Sequence, residues 1–280
     1  MIIGEYSVTD ILIILQARLS SSRLPGKVLK NILGKPMLEH QLARLSHIKS
    51  PHHLLVATSS QSDDDPIAAL CAQLNVNCYR GDLNDVLSRY YHAAQSINQV
   101  EKIKHIVRLT GDCPLVDAEI IDKVISHYLT KKVDYCSNCT PATLPDGLDV
   151  EVFSFASLKV TFEQAVKPSE REHVTPYIRN NPQLFTLANY SHHVDLSHLR
   201  WTVDEPEDFE LVCKIYQHLY PDNPTFDLVD ILTLIAKYPA LTQINQHIMR
   251  NEGLLKSQQA DQAIAKLSLL NELARDKNHE

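Results

Sequence analysis

Residues 11–31 read ILIILQARLSSSRLPGKVLKN. The apolar run 11–15, rich in β-branched residues, predicts a strand buried on both faces. A polar loop follows, with three serines, a Pro-Gly turn and a series of cations. From Ile11 to Leu38 the cations are Arg18, Arg23, Lys27, Lys30 and Lys35, and no Asp or Glu interrupts them. The whole chain carries 34 acids against 27 Lys and Arg, for a net charge of −7. An anion bound here must therefore be held by the local cluster and not by the overall field. Two readings compete. One is a solvated turn with ordinary surface cations. The other is a polyphosphate cradle. A loop after the first parallel strand leaves the sheet at its carboxyl edge, where α/β proteins bind ligands. Backbone N–H groups near Gly26, serine hydroxyls and long cations suit a triphosphate.

Outward from the loop, strand-like runs recur at 54–58, 76–79 and 106–110. Helical stripes separate them: Leu38, Leu42 and Leu45 after Pro36; Ile67, Leu70, Cys71 and Leu74 after Asp65-Pro66; Leu87, Tyr90, Tyr91 and Ala94; Ile121, Val124, Ile125 and Tyr128. Such alternation predicts a mainly parallel sheet with right-handed crossovers and helices on its faces. Past residue 134 the rhythm changes. LDVEVF (148–153) alternates with period two, placing Leu148, Val150 and Val152 on one face and Asp149 and Glu151 on the other. Ser169 and Glu172 fit a capping box for a helix running to about Arg179. Segments 185–190 and 200–203 read as strands, and Glu205-Pro206 opens a helix striped by Phe209, Val212, Tyr216 and Leu219. From Phe226 onward only helices are expected. The expected organisation is one domain over 1–222 with a helical extension over 223–280.

Several function classes fall away. A Walker loop needs GxxxxGK[ST] and a dinucleotide fold needs GxGxxG, but the loop holds only Gly26 and the chain only 7 glycines. A pI near 6.0 argues against a dedicated nucleic-acid binder. No apolar run reaches the ~20 residues of a membrane helix. The N-terminus MIIGEYSVTD carries acids and lacks a signal-peptide cleavage pattern, so a cytoplasmic protein is expected. Of 6 cysteines only Cys136 and Cys139 form a CxxC, with no partner pair at zinc spacing, and the 14 histidines form no HExxH.

The run ARLSSSRLPGKVL resembles the signature of cytidylyltransferases that activate 3-deoxy-sugar acids, the CMP-KDO synthetase group. GDLNDVLSRYYHAA, RLTGDCPLVDAEIID, GLDVEVFSF, SEREHVTPYIR and WTVDEPEDFELV follow in order, and look like the branch called spore coat polysaccharide biosynthesis protein F. INQHIMRNEG resembles that branch's carboxyl-terminal extension. The resemblance implies a GT-A-like nucleotide-diphospho-sugar transferase fold: a mainly parallel central sheet flanked by helices, with a helical C-terminal extension. It implies an enzyme that joins CTP to a sugar acid with Mg²⁺, releases pyrophosphate and serves cell-surface polysaccharide or glycan biosynthesis. Relatives are commonly homodimers. Where the CMP-KDO enzymes carry SGTER, this chain has NDVLSR, retaining only Arg89, so the base and the sugar stay open.

Carried over position by position, the resemblance gives Arg18, Arg23 and Lys27, with Ser22, to the nucleotide phosphates, and Lys30 and Lys35 have no match. Arg89 is a further candidate nucleotide contact. Asp112 and Asp204 each end a strand-like run, and two carboxylates plus substrate phosphates suit Mg²⁺; the family places its metal-binding aspartates at these motifs. Each also fits a turn former or helix cap. Asp149 and Glu151, paired on one face, must be solvated, paired or bound to a cation, as a polar outer face or near the metal or sugar. Arg171, Glu172 and His173 are candidate sugar contacts. Arg171 suits a bidentate pair with a sugar carboxylate, or anchors its own helix, and Arg200 suits the same acid group. His173 reads as a general base or a structural histidine. Two other classes remain: a glycosyltransferase using a nucleotide-sugar, with DDD at 63–65 as its metal motif, and a non-catalytic nucleotide-binding protein.

Overall fold

The structure, a computed structural model, describes residues 10–97, 100–250 and 252–276. Residues 1–9, on which the absence of a signal peptide was argued, and the charged tail past Asp276 lie outside the described residues. In chain order the strands are β1 (Ile11–Gln16), the short pair β2 (Asn31–Ile32) and β3 (Lys35–Pro36), β4 (His53–Ser59), β5 (Asn77–Gly81), β6 (His105–Thr110), β7 (Tyr135–Ser137), β8 (Glu151–Ser154) and β9 (Leu187–Asn189). The helices are α1 (Met37–Leu45), α2 (Asp65–Gln73), α3 (Val86–Gln95), α4 (Ala118–Lys131), α5 (Phe155–Gln164), α6 (Pro168–His173), α7 (Pro176–Asn180), α8 (Pro206–Leu219), α9 (Leu228–Lys237) and α10 (Glu252–Asp276).

Seven strands form the main sheet in the order β5-β4-β1-β6-β8-β7-β9. β5, β4, β1 and β6 run parallel, and β8 is antiparallel to both its neighbours. The apolar run of β1 explains its central place. Ile11, Ile13 and Leu15 enter one core with Leu38, Val124, Leu211 and Ile231, while Leu12 and Ile14 enter the other with Leu87, Tyr90 and Leu158. A strand alternating between two apolar cores has to be apolar throughout. Phe226, Leu228, Ile231, Leu234 and Leu241 from the carboxyl-terminal part bury in the first of these cores. Asp117 ties this part down: Oδ1 caps α4 by accepting from Glu119 and Ile120 N–H, and Oδ2 accepts from Leu228 N–H at 2.9 Å.

The chain leaves β1 toward β4 on one side and β6 lies on the other, so a crevice opens where the two connections part. Gln16 and Thr110 are register partners at the ends of these strands. Gly111 lets the two departing loops touch, because a Cβ there would stand 2.9 Å from Gln16 O and 3.0 Å from Ala17 Cβ. Gly147 does the same elsewhere: its φ is +108°, and a Cβ would lie 2.5 Å from Thr202 N. Segment 200–203 therefore docks directly on 146–147, with Trp201 and Thr202 N–H both bonding to Asp146 O.

Three sequence expectations are corrected. Segment 200–203 is not a sheet strand; it makes a single parallel bridge, Asp146 to Arg200. Its backbone donors go to the loops of the crevice, Val203 N–H to Asp112 O among them. The helix expected from Ser169 to Arg179 is two helices, α6 and α7. Val174 has φ +70°, and Thr175 precedes Pro176, whose ring and missing N–H forbid a continuous helix. α6 is capped two residues earlier than expected, by Glu170 accepting from Lys167 N–H. Third, in LDVEVF only the last three residues belong to β8, although Leu148, Val150 and Val152 do share one core.

Candidate functional site

A cavity of about 680 Å³ lies at the carboxyl edge of β1 and β6. The basic loop forms one wall. Leu24 and Val28 anchor it in the core, and Gly26 N–H closes it by bonding to Leu19 O at 3.0 Å. Leu19 N–H in turn donates to Asp64 Oδ1 at 2.7 Å. Asp64, in the DDD run, is 1% exposed and also accepts from Ser59 N–H and Ser59 Oγ–H. It holds the loop to β4 and is closed off as an exposed metal motif. The sequence offers this carboxylate only as part of a metal motif, and its role in anchoring the loop emerges from the structure.

Lys27 turns inward from the loop and is only 8% exposed. Its ammonium donates to Val203 O at 2.7 Å, Asp204 Oδ1 at 2.8 Å and Asp112 Oδ2 at 3.3 Å. Burial alone would lower its pKa, but the two carboxylates outweigh that and raise it. Burial would likewise raise Asp112; the Lys27 charge, with hydrogen bonds from Thr110 and Cys113, instead brings it to about 2. Asp112 is thus held ionised beside a cation. Asp204 Oδ2 faces Arg23 at 3.1 Å and Arg200 at 3.1 Å. Arg23 also pairs with Glu205 and Glu252, both at 3.2 Å.

The remaining wall is polar. Arg89, 1% exposed, donates to Asp82 O at 2.7 Å. Glu151 is buried and accepts from Tyr135 and Thr175 hydroxyls at 2.6 Å each and from Arg108. Burial would raise its pKa, yet Arg108, Arg179 and these hydroxyls lower it. It is no outer-face acid. Asp149 pairs with Arg250. Burial, with Asp146 and Glu151 nearby, still pushes Asp149 up to about 7. Glu172 accepts from Ser257 Oγ at 2.8 Å, and His173 Nε2 lies 3.0 Å from the same hydroxyl. Burial lowers the pKa of His173, despite Glu172, so the ring is neutral near pH 7.

Arg18, Ser22, Arg23, Lys27, Arg89, Asp112, Asp149, Glu151, Glu172, His173 and Asp204 therefore share one cavity. Two of the residues picked from the sequence do not line it. Arg171 faces a second cavity, of about 350 Å³, and is taken by Asp85 at 2.6 Å and by the Phe162 and Ala165 carbonyls. Arg200 is buried behind the site between Asp146, Asp204 and Asp208, at 2.7, 3.1 and 2.9 Å. Neither guanidinium has a face left for a sugar carboxylate. Arg108, Asp146, Arg179 and Arg250 escaped the sequence reading. Only Arg108 left a trace there, as the lone charge inside the apolar run HIVRLT.

Asp112 and Asp204 reach the same ammonium from different loops, so a cation between them meets two hard oxygen donors. Among the described residues no group of three or more His, Cys, Asp or Glu converges on a point. That donor set is too small for a structural metal cage but fits Mg²⁺, which takes one or two carboxylates and completes its shell with phosphates and water.

The architecture is that of the nucleotidyltransferases of the nucleotide-sugar transferase fold. The synthetase of CMP and 2-keto-3-deoxy-manno-octonic acid, solved with CTP, aligns at a TM-score of 0.56 and 17% identity, over 75% of this chain and all of that one. A cytidylyltransferase structure from Leptospira borgpetersenii serovar Hardjo-bovis aligns at a TM-score of 0.78 and 32% identity, over 84% of this chain and 97% of that one. The chain belongs to the cytidylyltransferase family, whose model matches residues 12–252. Similar sequences include the spore coat polysaccharide biosynthesis protein SpsF of Bacillus subtilis, 32% identical over 83% of this chain and 96% of that protein. An uncharacterized protein of Methanocaldococcus jannaschii is 35% identical over 84% of this chain and 94% of its own length. The chain is accordingly a nucleotidyltransferase of the cytidylyltransferase family.

Proposed function

We propose that the enzyme transfers CMP from CTP to a hydroxyl of a sugar acid, releasing pyrophosphate, for assembly of a surface polysaccharide or glycan. One observation carries the reading: Lys27, from the loop free of carboxylates, bridges Asp112 and Asp204 in the cavity that Arg18 and Arg23 also line. The loop cations face the β- and γ-phosphates and offset the charge that gathers there as pyrophosphate departs. Asp112 and Asp204 are the residues to hold Mg²⁺, which when bound would polarise the α-phosphate. Glu172 and His173 line the acceptor side, where they orient sugar hydroxyls, and Glu151 holds Thr175 and Arg108 beside them. A transfer of this kind is mainly positioning and electrostatics.

The test is pyrophosphate release from CTP and Mg²⁺ across a panel of 2-keto-3-deoxy sugar acids. Release that depends on one of these acids is expected. Glycosyl transfer from a nucleotide-sugar without pyrophosphate, or tight CTP binding with no turnover on any acid, would refute the reading.

A further inference from the structure

We infer that Arg179 reads the carboxylate of the acceptor and so makes this enzyme selective for acidic sugars; the inference rests on the proposed reaction. Arg179 lies on α7 and lines the main cavity with Glu151, His173 and Thr175. The arginines that the sequence offered for this task are both sequestered, Arg171 by Asp85 and Arg200 by three aspartates. The other arginines of the cavity wall are also engaged: Arg23 with acids, Arg89 with a backbone carbonyl, Arg108 with Glu151. Two lining arginines, Arg18 and Arg179, have no side-chain hydrogen bond or ion pair among the described residues. Arg18 belongs to the phosphate loop. Arg179 stands on a different element, beside the groups assigned to the acceptor.

The neighbourhood leaves its charge available. Glu151 is the nearby carboxylate, and its oxygens are already taken by Tyr135, Thr175 and Arg108. Arg179 Nε is buried with no partner, which is costly unless a ligand supplies the acceptor. Its backbone is well held, since Arg179 N–H bonds to Thr175 O at 3.1 Å and the preceding Ile178 is fully buried in a core. A guanidinium whose Nε lacks a protein acceptor, carried on a well-held helix at the cavity wall, matches a planar carboxylate in bidentate fashion. A neutral sugar would leave its Nε without an acceptor.

The experiment compares wild type, Arg179→Gln and Arg179→Lys at full length. CTP affinity is measured by calorimetry, and pyrophosphate release with 3-deoxy-manno-octulosonate and with its carboxamide. Unchanged CTP affinity also shows that each variant folds. In Arg179→Gln, KM for the acid should rise roughly 30-fold or more, as expected for loss of a desolvated charge pair, and preference over the carboxamide should collapse. Arg179→Lys should fall between. If wild type turns over the acid and Arg179→Gln keeps its KM within threefold, the inference is wrong while the reaction stands. A loss of CTP affinity equal to the loss for the acid would move Arg179 to the nucleotide and also overturn it. No turnover by wild type on any sugar acid would remove the reaction and the inference together.

Discussion

A single lysine ammonium shared between two aspartates is the hinge of the site. Asp112 is held at about 2 against an ordinary 3.8, so it favours the folded state wherever it is ionised. The sign follows from linkage: the contribution is complete above about pH 4 and is lost as pH falls toward 2. Lys27→Met removes the charge most responsible for offsetting the burial of Asp112. Wild type should therefore be more stable than the variant at pH 5, with their urea midpoints converging between pH 4 and 2. A gap that stays constant over that window would show that Lys27 does not govern Asp112. Residue-scale chemistry was partly legible. The basic loop declared itself by what it lacked, and Asp112 and Asp204 by ending apolar runs. Arg179 gave no such signal, because an arginine late in a helical motif reads the same whether its guanidinium is free or paired.

At the scale of elements, the loop is anchored by buried hydrogen bonds and by Leu24 and Val28 in the core. Asp64 fixes Leu19 N–H, and Ser59 stiffens Asp64 in turn. Asp64→Ala should cost about 1–3 kcal/mol, the typical cost of orphaning buried donors, and should weaken CTP binding by letting the loop drift. Urea unfolding and calorimetry on the same variant check both effects, and an unchanged CTP affinity would mean the loop needs no anchor. Periodicity exposed β1, β4, β6 and the helices between them, since each buries an apolar run or stripe; β5, an edge strand, was found although none of its residues is fully buried. It failed for 200–203 because Trp201 and Val203 bury in the core as a strand's residues would, while the backbone bonds to loops in place of a sheet neighbour. It failed across Val174 because the break is a backbone event, visible in the sequence only through Thr175-Pro176.

The whole molecule adds what no local pattern can contain. Arg23 meets Glu252, Asp149 meets Arg250, and Ser257 reaches both Glu172 and His173, so the carboxyl-terminal segment completes the cavity wall. Contacts between residues that far apart in the chain are set by topology and not by spacing. The switch between β4 and β6 around β1 brings the loop and the two aspartates to one crevice. The sequence implied that convergence only through resemblance. Calorimetric titration of CTP into wild type and Asp112→Asn, each with and without Mg²⁺, tests it most directly. Mg²⁺ should tighten CTP binding to wild type by about tenfold or more, roughly 1.4 kcal/mol, and should leave the variant nearly unaffected; equal tightening in both proteins would contradict the account.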